Sequence, residues 1–413
     1  MMIRDILKNQ VQEVAINVQQ SKIESIRKKD IAKTAVRIYD QGYIGIASGI
    51  GKVQEEMLTK KAQEAIDLQI SYPVPPEKEH TETIQSSKTL LSEEDFLNEM
   101  EELLQVLRQQ NPQFTFSNKL IKQSCTHSLN NDIGLSLFQT IDHYRISLLI
   151  NHQDSSNLFD AAMGYQSNQY DRTILTDYIH DICEAYNTPI HDFQEGIYPI
   201  LFDSSDQTYL GKLYHDLHGH IFASGSSLFS NRLGEPLFNP LFSFYATRSP
   251  KHFSSQPFFD LEGVYKKDFL VPLVQKGILE TPYTDKKTAH KYHYPTTACA
   301  GGSYDSVPTI GIPQAYIPST GKTTGEILQG EKGIVIVIAS GGDFTPDGHF
   351  ATPVQLAFLY DGKHLVGRLP QLSISSNLFT MFGNDFMGVS SNSLFPLDDS
   401  RQTIMKMNVK TID

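Results

Sequence analysis

Apolar and polar residues alternate with period two over 14–19, VAINVQ, which predicts a half-buried strand. The alternation recurs on both sides of Asp40-Gln41-Gly42 in TAVRIYDQGYIGIASG (34–49) and predicts a hairpin. Helical spacing takes over at 54–70, and the Pro-, Glu- and Ser-rich stretch 71–88 predicts a loop. SEEDFLNEMEELLQVLRQQNP then predicts a helix: Ser92 is placed to cap it, acids fill its first turn, and Phe96, Met100, Leu103 and Leu107 share one face. Pro112 lies beyond its end.

The second half changes character. A helix is expected over 206–222, capped by Ser205 or Asp206, with Leu210, Leu213, Leu217 and Ile221 as its buried stripe. Short β-rich runs follow at 268–275, 312–318, 333–339, 354–360 and 363–369, with a tight turn at YDGK (360–363). GIVIVIA (333–339) predicts a buried strand. At 413 residues the chain is long for one core. The pattern predicts an α+β protein: an N-terminal α/β domain of hairpins and helices (1–195) and a C-terminal, mainly antiparallel β domain (196–413) carrying one key helix.

Composition narrows the partners. The formal net charge is −12 and no basic cluster exceeds RKK (27–29), which argues against nucleic acid. Three widely spaced cysteines make no disulfide framework and favour a reducing compartment. The N-terminus lacks the apolar core of a signal peptide. GIVIVIA falls far short of the roughly 20 residues of a spanning helix. A cytoplasmic protein without a membrane partner is expected.

Candidate chemistry concentrates in YHDLHGH (214–220). His215 and His220 are five residues apart and poorly aligned on an ideal helix. A widened π turn or a kink at Gly219 would bring both imidazoles to one side, as such bulges do at functional sites. Alternatively, Gly219 ends the helix and the histidines are solvated or hydrogen-bonded. Elsewhere, GKTT (321–324) is a turn, not a phosphate loop. His290 and His293 suit a surface or substrate-facing role. On a strand, Asp260 and Glu262 would point to opposite faces. Arg232 either contacts substrate or forms a local salt bridge.

HDLHGH followed by SSLFSNRLGEPL (226–237) resembles the HExxGH helix and the segment after it in the TldD/PmbA metallopeptidases, once described as modulators of DNA gyrase. FDLEGV (259–264), GILETPYTDKKTA (277–289), IPSTGKTTGEIL (317–328) and SGGDFTPDGHFATPVQLAFLYDGK (340–363) resemble later family segments in order, as VRIYDQGYIGIASG (36–49) does earlier. The resemblance implies zinc ligation by His215 and His220, with Asp216 at the general-base position where the family has glutamate. GVSSN (388–392) aligns with the family's GVCGK, so Ser390 stands where a cysteine ligand belongs. Asp is shorter than Glu, so its carboxylate falls roughly 1.5 Å short, and a base must reach within about 3.2 Å of its proton. A neutral hydroxyl is a weak zinc ligand, which leaves zinc loosely held or absent unless Asp216 or His218 coordinates instead. Cys299 lies in a different motif. Arg232 and Glu262 are candidate substrate contacts.

The resemblance implies one of two functions. The chain is either a zinc peptidase cutting unstructured peptides held by strand addition, or a non-catalytic subunit completing the chamber of an active partner. Both imply a dimer, homomeric or formed with a family paralogue.

Overall fold

The computed structural model describes all residues except 1, 87–88, 205, 207, 252–255, 395–399 and 413. Seven strands build the first sheet: β1 (Ile3–Gln19), β2 (Lys22–Asp40), β3 (Tyr43–Ile50), β4 (His80–Ile84), β5 (Phe114–Asn131), β6 (Leu135–His152) and β7 (Ala161–Ser167). Their order is β3-β2-β1-β5-β6, with β4 and β7 both pairing β6. The hairpin around Gln41-Gly42 forms as expected. Both turn residues have positive φ, 48° and 84°, the condition for a two-residue turn that matches strand twist.

Helix α1 (Glu55–Glu64) backs β3, while α2 (Glu93–Gln110) and α3 (Arg172–Tyr186) pack on the sheet and on each other. Ser92 caps α2 by accepting from the Asp95 N–H at 3.1 Å. Phe96, Met100, Leu103 and Leu107 are all buried, as their spacing demands. One local expectation fails: the supposed loop at 71–88 contains β4, which runs parallel to β6. Its HTETI sequence is mostly polar, so the strand owes its form to the edge that β6 offers rather than to its own pattern.

β8 (Gly196–Asp203) begins the second sheet and precedes two short helices, α4 (Gly211–Asp216) and α5 (Gly219–Ala223). A small four-stranded sheet follows from β9 (Phe244–Thr247), β10 (Leu270–Gln275), β11 (Ile278–Leu279) and, after α6 (Lys286–Tyr292) and the pair β12 (Ala300–Gly301) and β13 (Thr309–Ile310), from β14 (Gln314–Tyr316). After α7 (Thr324–Leu328) come β15 (Gly333–Ala339), β16 (Asp343–Phe344), β17 (His349–Tyr360), β18 (Leu365–Arg368), β19 (Leu372–Asn377), α8 (Leu378–Met381), β20 (Phe386–Val389) and β21 (Gln402–Thr411). The order β15-β8-β21-β19-β17 closes on itself, because β15 also pairs β17. Only the β15–β8 junction is parallel. GIVIVIA is therefore a strand, but only Gly333 and Ile334 are fully buried; the rest is partly exposed beside α3.

The halves share apolar packing. Leu356 and Phe358 of β17 join the cluster formed by α2, α3 and the first sheet. A second contact comes from the turn 258–264, whose Phe258 and Phe259 pack on Leu7, Ala35, Leu129, Leu135 and Leu137. The Phe258 N–H donates to Gln139 Oε1 at 2.6 Å, and Arg37, fully buried, donates from Nη1 to the Leu261 carbonyl. No helix among the described residues is long and apolar enough to cross a membrane.

Gly263 is the tightest point of this contact. Its φ is +77°, and a Cβ there would lie 2.8 Å from Leu135 Cδ2 and 2.9 Å from Leu129 Cδ2. Left-handed backbone and overpacking both penalise a side chain. Gly263→Ala is expected to cost about 2–4 kcal/mol by urea denaturation.

Candidate metal centre and its surroundings

The helix expected over 206–222 is two helices. α4 ends at Asp216, and His218 is extended (φ −65°, ψ 121°) before α5 restarts at Gly219. The gap is stitched to a neighbouring segment: Tyr283 N–H donates to the Leu217 carbonyl at 2.9 Å, and Gly219 N–H to the Tyr283 carbonyl at 3.0 Å. Gly219 is thus neither a π-turn residue nor a helix end. It opens α5, and a Cβ on it would meet Thr288 Cγ2 at 2.8 Å and Tyr283 O at 3.0 Å. The break also re-phases the apolar stripe. Leu210, Leu213 and Leu217 are buried as expected, but Phe222 replaces Ile221 inside. Asp206 closes a turn onto the Thr208 N–H at 2.8 Å instead of capping α4, whose N-cap position is Leu210; Ser205 lies outside the described residues.

Asp216 is fully buried, and three donors fill it. Lys212 Nζ lies 2.9 Å and His215 Nδ1 2.6 Å from Oδ1, and Leu228 N–H donates to Oδ2 at 3.1 Å. Lys212 is itself buried, so this is an internal ion pair one helical turn apart. The His215 side chain is 54% exposed. His220 Nε2 lies 3.2 Å from Thr288 Oγ1, and its ring meets Tyr292 edge-on. The His218 ring centroid is 5.8 Å from that of His220. Burial holds the His218 imidazole below its ordinary pKa, helped by His220 and His215 and opposed by Asp285.

Ser390 is buried in the β20–β21 ladder, where its hydroxyl donates to Asn392 O at 2.6 Å and accepts from Gln402 N–H at 3.0 Å. Among the described residues, no three His, Cys, Asp or Glu side chains are grouped to hold a metal ion. Cys299 offers no thiolate: burial pushes its thiol up to about 11, and Sγ donates to the Thr297 carbonyl. Arg232 pairs with Glu235 at 2.9 Å and stacks over Phe379, so the local salt bridge is what forms. His290 and His293 are exposed around the end of α6, and Thr323 of GKTT caps α7.

Glu262 occupies a different environment from the one its alternation suggested. Residues 260–264 form a turn, not a strand, with Gly263 N–H donating to Asp260 O and Asp260 N–H to Val264 O. Asp260 Oδ1 accepts from the Glu262 and Val264 N–H groups, so one carboxylate builds the turn that buries the other. Glu262 Oε1 accepts from Tyr72 OH, and Oε2 accepts from Lys286 N–H at 2.8 Å, the first residue of α6. Lys286 Nζ reaches back to Glu77 at 3.0 Å. Glu262 therefore anchors the helix that carries Thr288 against His220. Sequence reasoning missed Tyr72, which sits in no motif, and Lys286, whose segment 277–289 is read only for its resemblance; both meet Glu262 only in space.

Burial, reinforced by Asp260, pushes the Glu262 carboxyl up to about 8 from an ordinary value of 4.5. The folded state then holds a proton that the unfolded chain releases, so the stability this group contributes is fully present at low pH and is lost as pH rises through 8. Asp5, pushed up to about 6 chiefly by burial, acts with the same sign at lower pH. Urea midpoints between pH 6.5 and 8 are expected to fall in the natural protein and to vary less in Glu262→Gln. Lys212→Met, which leaves Asp216 buried without its cation, is expected to lose about 3–5 kcal/mol in the same assay.

The PmbA/TldA metallopeptidase C-terminal domain family model matches residues 195–408. No curated protein matches the chain. Among solved structures, TldE from Thermococcus kodakarensis superposes with a TM-score of 0.81 at 14% identity, covering 99% of this chain and 97% of that one. A Thermotoga maritima protein named as a modulator of a DNA gyrase gives 0.80 at 14% identity, covering 99% and 96%. A Bacteroides thetaiotaomicron protein of the same description gives 0.75 at 14% identity, covering 99% and 95%. Identity this low speaks for the fold alone, but the family model spans half of the sequence. The chain belongs to the TldD/PmbA family.

Proposed function

We propose that this chain is a peptide-binding subunit of a TldD/PmbA-type assembly that does not hydrolyse peptides on its own. The observation that carries the proposal is the complete burial of Asp216 against Lys212, His215 and the Leu228 N–H. A general base needs a free lone pair within reach of a water, and this carboxylate is fully buried, with a donor on each oxygen. The Lys212 ammonium beside it also opposes a dication at His215. Ser390 adds a neutral hydroxyl already committed to its own strands. Two imidazoles without a third strong ligand do not fit a resident zinc.

On this proposal the substrates are extended, unstructured peptides, and the working unit is a dimer, either of this chain or with a paralogue that carries the catalytic residues. The second reading, a zinc peptidase with Asp216 as base, draws on the retained histidine pair, with His215 half exposed.

Metal analysis and a proteolysis assay separate the two. The purified protein is expected to carry less than one tightly bound zinc per chain and to leave unfolded casein intact. Stoichiometric zinc that disappears in His215→Ala and His220→Ala, together with hydrolysis abolished by Asp216→Asn, would establish the peptidase instead.

A further inference from the structure

A cleft of about 650 Å³ opens between the connection from β6 to β7, the end of α3, β15, β17 and the exit of β18. Its volume falls within the range of small-molecule sites, on the order of 300–1,000 Å³. Ile338, Leu356, Leu369 and Ile190 supply apolar lining, and Arg368 is its cation.

Arg368 is held rigidly. Its backbone N–H donates to Thr188 O at 2.9 Å, and its carbonyl accepts from Ile190 N–H at 2.8 Å. The guanidinium carbon lies 4.0 Å from the centroid of the Tyr186 ring. Stacking occupies one face of the guanidinium and one hydrogen bond goes to the Tyr186 side chain, which leaves the remaining N–H donors of the fork for a carboxylate. Among the described residues, arginine ion pairs engage Arg4, Arg108, Arg172 and Arg232, and Arg368 enters none.

Asp160 also lines the cleft, but its oxygens accept from Ser155, Asn157 and Tyr186 side chains and from the His152 N–H. It therefore orients Tyr186 under Arg368. Its charge repels a phosphate dianion more strongly than a monocarboxylate.

We propose that this cleft binds an apolar monocarboxylate, its acid group on the remaining N–H donors of Arg368 and its tail on Ile338, Leu356 and Leu369. An alkyl acid and the free C-terminus of a peptide with an apolar last residue share this chemistry. The proposal is independent of the metal site.

Isothermal titration of the full chain with octanoate, N-acetyl-leucyl-phenylalanine and the amide of that dipeptide tests it. At least one acid is expected to bind, and which one identifies the source. The amide is expected to bind at least tenfold more weakly than the dipeptide acid if that acid is the ligand. Arg368→Gln is expected to weaken the bound acid at least tenfold, and Arg368→Lys less. Circular dichroism confirms that the variants are folded, and competition between octanoate and its methyl ester on the natural protein needs no variant. Failure of both acids to bind at millimolar concentration, equal affinity for acid and neutral derivative, or unchanged binding by folded Arg368→Gln would overturn the proposal.

Discussion

Arg37 places a permanent cation where water does not reach, and the joint between the two halves is built around that fact. The guanidinium is fully buried and its one hydrogen bond among the described residues goes to the Leu261 carbonyl, in the turn that the second half presses onto the first sheet. Asp5, directly opposite on β1, supplies an opposing charge. An ion taken out of water is tolerated only when charge and dipoles compensate it. Removing the 258–264 turn would leave this arginine without its carbonyl, so the first sheet and the turn depend on each other.

The same turn transmits order outward. Asp260 shapes it, Glu262 carries it to Tyr72 and the start of α6, and α6 brings Thr288 to His220. The candidate metal centre is thus positioned by groups remote from it in sequence. Its candidate groups share one trait: Asp216 is held by Lys212, His215 and the Leu228 N–H, and Ser390 closes into its own ladder, so each is satisfied internally.

Much of the fold was legible because local signals agreed with their surroundings. Gln41-Gly42 announced a hairpin, and the apolar face of α2 announced its burial. The failures have a common origin. β4 forms because β6 provides an unpaired edge, the helix after Tyr209 breaks because Tyr283 inserts its backbone at Leu217 and Gly219, and Asp260 bends a stretch whose alternation suggested a strand. In each case a distant segment overrode a local preference. Within the candidate site the rings of His218 and His220 lie 5.8 Å apart, but the commitment of Asp216 to Lys212 was not legible, because an i, i+4 pair carries no label saying whether it faces solvent or core.

The ring formed by β15, β8, β21, β19 and β17 has one junction unlike the others. β15 meets β8 in parallel register through Ile334 and Val335 only, whereas β21 meets β8 along eight residue pairs. A barrel with one short seam has a built-in order of opening: thermal breathing concentrates where the fewest ladder bonds must yield. Amide protons flanking that seam should therefore trade with solvent sooner than those of β21, and the barrel would part there into a curled sheet while its remaining strands stay joined.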